Sequence, residues 1–345
     1  MKLFHISHTD LDGYGCQLLT NEFFKNASFY NANYGLEVKL SIKKVLEDIL
    51  NHKEEDILII ISDLNLTVQE SQDLDKSINL LIADGFKIKL QLLDHHITGK
   101  KSSALYEWYF LDDKRCATKI VYDYLIAEHQ APIIHLKTLV DAINAVDIWL
   151  EHEKENFEFG KVLMSMISKV REVNNILFAD LNREFKFYLL KKSIEFLEIK
   201  DGHIKLDNEV HFMKKEFLKL NESDDTLDNL SANYLVKTLE DIKEDLTITY
   251  KGQKGLLTYC LGSISIPANT FLRANSDYDF FIDINKKGFI SLRADGKLDV
   301  SVLASKLGNG GGHVNASGGR IEDFKETIDY LSVKIYVQAK LDNLK

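Results

Sequence analysis

The chain has 345 residues, a length that suggests two domains rather than one core. Hydrophobic residues make up 45% and charged residues 28%, the balance of a globular protein, and no apolar run is long enough to span a bilayer. The net charge of −10 excludes a protein that coats long nucleic acid by charge alone, while leaving room for a short nucleotide held in one local site.

The first residues run straight into a strand pattern, with no signal-peptide profile. Cys16, Cys116 and Cys260 are widely spaced and odd in number. That argues against a disulfide framework or a cysteine zinc site and fits a reducing, cytoplasmic setting. With only Pro132 and Pro267 and no Ser/Gly/Pro tract, no long disordered linker is expected.

In chain order, KLFHIS predicts a strand and GYGCQLLTNEFFKN a helix behind it. ASFYNANY follows as a second strand, and VKLSIKKVLEDIL is helical by its apolar spacing. DILIIIS is a continuous β-branched run, as in a buried parallel strand. SQDLDKSINLLIADG reads as a helix capped at Gly85, and KIKLQLL as the next strand. CATKIVYDYLIAEHQ and IHLKTLVDAINAVDIWL read as two more helices. This alternation over residues 1–150 implies an α/β domain, a parallel sheet with helices on both faces. Residues 151–240 are charged and helix-forming, as in a helical connector, with Ser223–Asn229 as a loop. Residues 241–345 form a smaller α/β unit. Its strands are LTITY, GLLTYCL, YDFFIDI and GFISLRA; its helices are SIPANTFLRAN, VSVLASKLG and DFKETIDYLSVKIYVQAKL.

Three predicted strands end in ionisable groups. The first runs into His8, Asp10 and Asp12, whose alternation would put them on one face of an extended chain. The second runs into Asp63, the third into Asp94, His95 and His96. In parallel sheets the ligand crevice lies outside the carboxyl ends of the strands. Asp63 alone would suit a helix cap, but caps need neither histidines nor alternate spacing. Mixed Asp and His suit a borderline-hard divalent ion, Mn²⁺ first, with Co²⁺, Mg²⁺ and Zn²⁺ as competitors. The number of ligands suggests two ions, an arrangement suited to phosphoester hydrolysis. No P-loop or dinucleotide fingerprint follows a strand.

A second constellation is LGNGGGHVNASGGR, Leu307–Arg320. Its consecutive glycines allow backbone N–H groups to approach an anion, with His313 and the upstream Arg293 as further donors. It reads as a loop between a helix and a strand. Elsewhere, Thr118 reads as a helix cap, and Arg115 and Arg273 as surface or salt-bridging residues. His129, His135, His152, His203 and His211 read as solvated, and Trp149 as packing beside Asp147.

SHTDLDG, SDL, LLDHH and NAVDIW occur in order, followed downstream by SLRA and GNGGGHVNASGG. This set resembles the DHH–DHHA1 phosphoesterases over roughly residues 1–150 and 240–325, closest to the nanoRNase branch. The resemblance implies a two-domain hydrolase, usually Mn²⁺-dependent, with its active site in the interdomain cleft. His8 and Asp10 would hold one ion; Asp12, His95 and Asp147 the other; Asp63 would bridge them. His96 would face the scissile phosphate, oriented with His95 by Asp94. Arg293, Gly310, Gly311, Gly312, His313 and Asn315 would grip a terminal phosphate or nucleotide. His5 competes with His8 in the first motif, and Asp141 with Asp147 in the fourth. The implied substrates are short RNA oligonucleotides or dinucleotides, released as nucleoside 5′-monophosphates. Alternatives are cyclic dinucleotides, 3′-phosphoadenosine 5′-phosphate, single-stranded DNA as for RecJ, or nucleotide binding without catalysis. No membrane is implied, and a homodimer is compatible.

Overall fold

The structure, a computed structural model, describes residues 1–344. It divides into two compact units: Met1–Val170 with Arg183–Val210, and Arg171–Asn182 with the chain from His211 onward. Residues 151–240, expected as a connector, are therefore shared between the two units rather than standing apart.

The first unit is built on five parallel strands: β1 (Lys2–Ser7), β2 (Ala27–Asn31), β3 (Asp56–Ser62), β4 (Lys87–Asp94) and β5 (Tyr109–Leu111). Their order is β2-β1-β3-β4-β5. Successive side chains of β3 serve opposite faces. Ile57, Ile59 and Ile61 pack with α2 (Leu36–Ile49) and α3 (Val68–Ala83); Leu58 and Ile60 pack with α1 (Leu11–Phe23). A single turn, α4 (Lys100–Ser103), precedes α5 (Ala117–His129) and α6 (Lys137–Asp147), which join α1 on the second face. A strand buried on both faces must be apolar throughout, which explains the unbroken run in β3. Gly85 caps α3 as expected: its φ is +95°, Phe86 N–H donates to Leu81 O and Gly85 N–H to Ile82 O. Strand β5, only three residues long, carried no sequence signal.

Three helices follow: α7 (Lys154–Ser168), α8 (Ala179–Leu197) and α9 (Gly202–Leu218). From Arg183 onward α8 belongs to the first unit, where Ile194 packs against the α1–α5 face.

The second unit holds β6 (Thr247–Tyr250), β7 (Gln253–Tyr259), β8 (Phe280–Ile284), β9 (Phe289–Ala294), β10 (Gly311–His313) and β11 (Ala316–Arg320), in the order β10-β11-β9-β8-β7-β6. Only β7 and β8 pair in parallel. Helices α10 (Leu227–Leu246) and α11 (Ser265–Ala274) cover one face, and α12 (Val300–Gly308) and α13 (Tyr330–Asp342) the other. The glycine segment is a hairpin, not the expected loop. A Cβ on Gly310 would stand 1.9 Å from Gly318 O, and Gly312 has φ +147°. Glycine here permits close backbone pairing as well as freedom of turn. The last helix starts at Tyr330, seven residues later than DFKETIDY suggested, with Asp329 as its N-cap accepting from Leu331 N–H and Ser332 N–H. Among the described residues no helix is long and apolar enough to cross a membrane.

Candidate metal centre

His8, Asp10 and Asp12 do not alternate along a strand, as the spacing suggested. Strand β1 stops at Ser7; Asp10 is the N-cap of α1, its carboxylate accepting from Gly13 N–H at 3.1 Å, and Asp12 lies in the first helical turn. Gly13 is required here, because a Cβ would sit 2.3 Å from His8 O. The turn, rather than a pleat, brings the three side chains to the carboxyl end of the sheet. Asp12 is buried, and its two oxygens accept from Ala117 N–H and Thr118 N–H, each at 2.7 Å. These are the free amides of the first turn of α5, a favourable seat for a carboxylate. Thr118 is thus no cap: its hydroxyl donates to Asp12 O at 2.7 Å and locks α5 to α1.

Asp63 follows β3 in the left-handed region, φ +55°, a conformation unusual for a non-glycine residue, and it caps no helix, since α3 is capped by Thr67. Its amide donates to Leu93 O at 3.2 Å. The twist turns its carboxylate across the sheet end toward the histidines that follow β1 and β4. His96 Nδ1 donates to Asp94 Oδ1 at 2.7 Å, and Tyr109 Oη donates to the other oxygen of that buried carboxylate at 3.0 Å.

Three groups result, each with its ligand atoms within 4.8 Å of one another: His8–Asp10–Asp63, Asp12–His95–Asp147 and Asp63–His95–His96. His95 Nε2 stands 3.4 Å from Asp63, 3.6 Å from Asp147 and 3.7 Å from Asp12. These gaps are too long for hydrogen bonds. They approximate the roughly 3–3.5 Å expected between two donors on one ion at bond lengths near 2.1 Å. Asp63 Oδ2 is buried with no hydrogen-bond partner among the described residues. Burial and Asp12 together push the Asp63 carboxyl well above its ordinary value, and the same pair of causes raises Asp147. Burial alone would lower His8, but contact with Asp10 and Asp63 outweighs it and raises the imidazole to about 10. Crowded acids with an orphaned oxygen, beside histidine nitrogens, are a set that a divalent cation completes. The chain's own residues therefore fit a metal centre.

The competing ligands separate clearly. His5 is fully buried, with Thr20 Oγ1 and Ser62 Oγ each 2.8 Å from its ring nitrogens, and is a core residue. Asp141 is paired with Lys119 at 2.9 Å and Lys137 at 2.5 Å, away from the cluster. Trp149 is 59% exposed, meets Phe157 of α7 edge-on at 5.0 Å and donates to Glu151. His129 is not solvated but sits among Phe23, Phe24 and Tyr124. One residue at the site escaped the sequence reading. Tyr34, after β2, lies against both His8 and His96. The only hint was its place after a strand, at the sheet edge that binds ligands.

In the second unit, Arg293, Ala316 and His313 stand opposite one another across β9, β11 and β10. Directly paired residues share a face, so Arg293 and the exposed His313 flank the small Ala316. Arg293 donates to Ser265 Oγ at 2.8 Å, and Asn315 Oδ1 accepts from Gly296 N–H at 3.0 Å.

Comparison with known proteins bears on the whole chain. Residues 263–336 match the DHHA1 domain. A 3′,5′-cyclic-nucleotide phosphodiesterase of Helicobacter pylori (strain ATCC 700392 / 26695) is 42% identical over 348 residues, covering 99% of each chain. A crystal structure of an uncharacterized protein from Helicobacter pylori G27 superposes with a TM-score of 0.93 at 42% identity, again over 99% of each. With the ordered acidic and histidine motifs at the strand ends, these likenesses make the chain a member of the DHH–DHHA1 family of metal-dependent phosphoesterases.

Proposed function

We propose that the protein is a two-metal phosphodiesterase of small nucleotides whose substrate is a 3′,5′-cyclic mononucleotide. The observation that carries this reading is the 42% identity, spanning both chains end to end, with a phosphodiesterase named for that substrate. The sequence alone ranked short oligoribonucleotides first and did not weigh a cyclic mononucleotide. His8 and Asp10 would hold one ion, Asp12, His95 and Asp147 the other, with Asp63 shared; the Asp and His donors suit Mn²⁺. Bound there, the ions supply Lewis acidity and an activated water. Hydrolysis adds one water across one P–O bond of the ring: its oxygen bonds to phosphorus and the leaving oxygen takes a proton. His96 is half-exposed at the edge of the cluster, and Asp94 fixes its ring. It is our candidate for facing the phosphate. Arg293, Gly310–Gly312, His313 and Asn315 are our candidates for substrate binding in the second unit. That row of donors would also suit a terminal phosphate, so short linear oligoribonucleotides are the second reading.

The test is hydrolysis of 3′,5′-cyclic AMP, a linear diribonucleotide and a generic bis-aryl phosphodiester, with and without Mn²⁺. Mn²⁺-dependent opening of the cyclic nucleotide is expected, and preference for the diribonucleotide would install the second reading. Asp63→Asn should lower kcat on every phosphodiester by about a thousandfold or more, because one side chain serves both ligand sets. Full activity in Asp63→Asn would overturn the shared-carboxylate assignment.

A further inference from the structure

The geometry points to Tyr34 as a positioning residue for the reaction, a phenol that packs against the His96 imidazole while Asp94 holds its Nδ1. The inference rests on the reading of this site as a phosphodiesterase centre. Tyr34 Oη lies 3.1 Å from His96 Nε2 and 3.4 Å from Nδ1. Nδ1 is already committed, 2.7 Å from a buried carboxylate that can only accept. The hydroxyl oxygen, nearly equidistant from the two nitrogens, lies against the ring rather than along either lone pair, so it crowds the imidazole and leaves Nε2 free to face the phosphate. A half-exposed imidazole held at one nitrogen can still swing about its χ2 bond; one with a phenol against its ring as well cannot. Tyr34 closes that freedom. Its ring meets His8 at 5.2 Å and His96 edge-on at 5.7 Å, so it also spans from one candidate ligand group to the residue facing substrate.

The segment that carries the tyrosine is built for this. Asn31 donates to His8 O at 3.0 Å, and Ala32 N–H donates to Ser7 O at 3.0 Å. Thr9 donates to Asn33 Oδ1 at 2.8 Å, and Asn33 in turn donates its amide and side chain to Glu37. Gly35, with φ +81°, then turns the chain into α2. The strap thus ties Tyr34 to the same turn that presents His8 and Asp10. Its ring is exposed enough, at 42%, that no core depends on its hydroxyl.

The test compares wild type with Tyr34→Phe in the full-length protein. kcat and KM are measured on 3′,5′-cyclic AMP and on a bis-aryl phosphodiester, and Mn²⁺ binding is read by electron paramagnetic resonance. Positioning predicts a fall in kcat of about ten- to a hundredfold on both substrates, with KM and Mn²⁺ binding unchanged. Asn33→Ala, which loosens the strap and keeps the phenol, should move kcat the same way by a smaller factor. A raised KM with normal kcat would make Tyr34 a substrate contact and overturn the inference. So would parallel loss of Mn²⁺ and activity, the mark of a merely structural role, or no change at all. If wild type hydrolyses neither substrate, the reading of the site fails first, and separately.

Discussion

Two histidines three residues apart on the same stretch meet opposite fates. His5 points into the core, where burial and the Arg183 charge lower its imidazole to about 3, so it is neutral in the folded state. His8 faces the acids at the sheet end. Their place along the strand decides the difference: His5 is paired within β1, and His8 lies beyond its last paired residue, Ser7, where the chain turns. His5→Gln should therefore weaken the fold but leave Mn²⁺ binding intact, while His8→Ala should do the reverse. The pH dependence gives a sharper check. A histidine whose folded value lies below its unfolded value of about 6.5 binds protons only on unfolding. Its contribution is complete above about pH 6.5 and is lost as pH falls toward 3, by about 1.4 kcal/mol per unit. The stability gap between wild type and His5→Gln, measured by urea unfolding, should thus narrow from pH 7 to pH 4.5. A gap that stays constant would mean that His5 is not held neutral.

At the scale of elements, the motif residues were legible but the backbone that aims them was not. Asp and His after a strand announce a site; whether the chain continues as pleat or turns into a helix depends on tertiary contacts. Here the amides of α5, a hundred residues away in sequence, fix Asp12, and no local pattern encodes that pairing. The glycine hairpin escaped for a similar reason, since glycine-rich strands carry no side-chain alternation to read. Helix α8 looked like solvated connector. In fact Arg183 and Lys186 are buried, Lys186 lying 3.8 Å over the Tyr14 ring, because their stems cover apolar surface. The seat of Asp147 is another long-range feature. It ends α6, which crosses α7 at Gly160, where an added Cβ would stand 2.4 Å from Ala142 O and 2.6 Å from Val146 Cβ. Neither neighbour can yield cheaply, one being backbone and the other β-branched. Gly160→Ala should gain about 1 kcal/mol of helix propensity yet lose about 1–3 kcal/mol or more to overpacking. Net destabilisation is expected in thermal melts, together with weaker Mn²⁺ binding because α6 carries Asp147. A variant more stable than wild type would show that the helices can part at no cost.

Over the whole molecule, the acidic balance and the metal centre belong to one electrostatic design. A chain of net charge −10 gathers four of its carboxylates, Asp10, Asp12, Asp63 and Asp147, at one sheet edge, where burial and like charge oppose the ionisation of Asp63 and Asp147. Packing elsewhere in the unit holds them there, through the two apolar faces of the parallel sheet. The metal-free fold therefore carries a repulsion that a divalent cation removes, and binding must stabilise the unit that supplies the ligands. At a hundredfold excess over its dissociation constant, one ion should add about 2.7 kcal/mol by mass action. Hydrogen exchange followed by mass spectrometry can locate the effect. Mn²⁺ should slow exchange in peptides covering the carboxyl ends of β1, β3 and β4, the first turn of α1 and the end of α6. Excess chelator should reverse it. Asp63→Asn should blunt the protection at β1 and β4 together, since its carboxylate neighbours His8 on one side and His95 on the other. Protection that persisted at β4 in that variant would mean that the two ligand groups bind their ions independently, with no shared carboxylate between them.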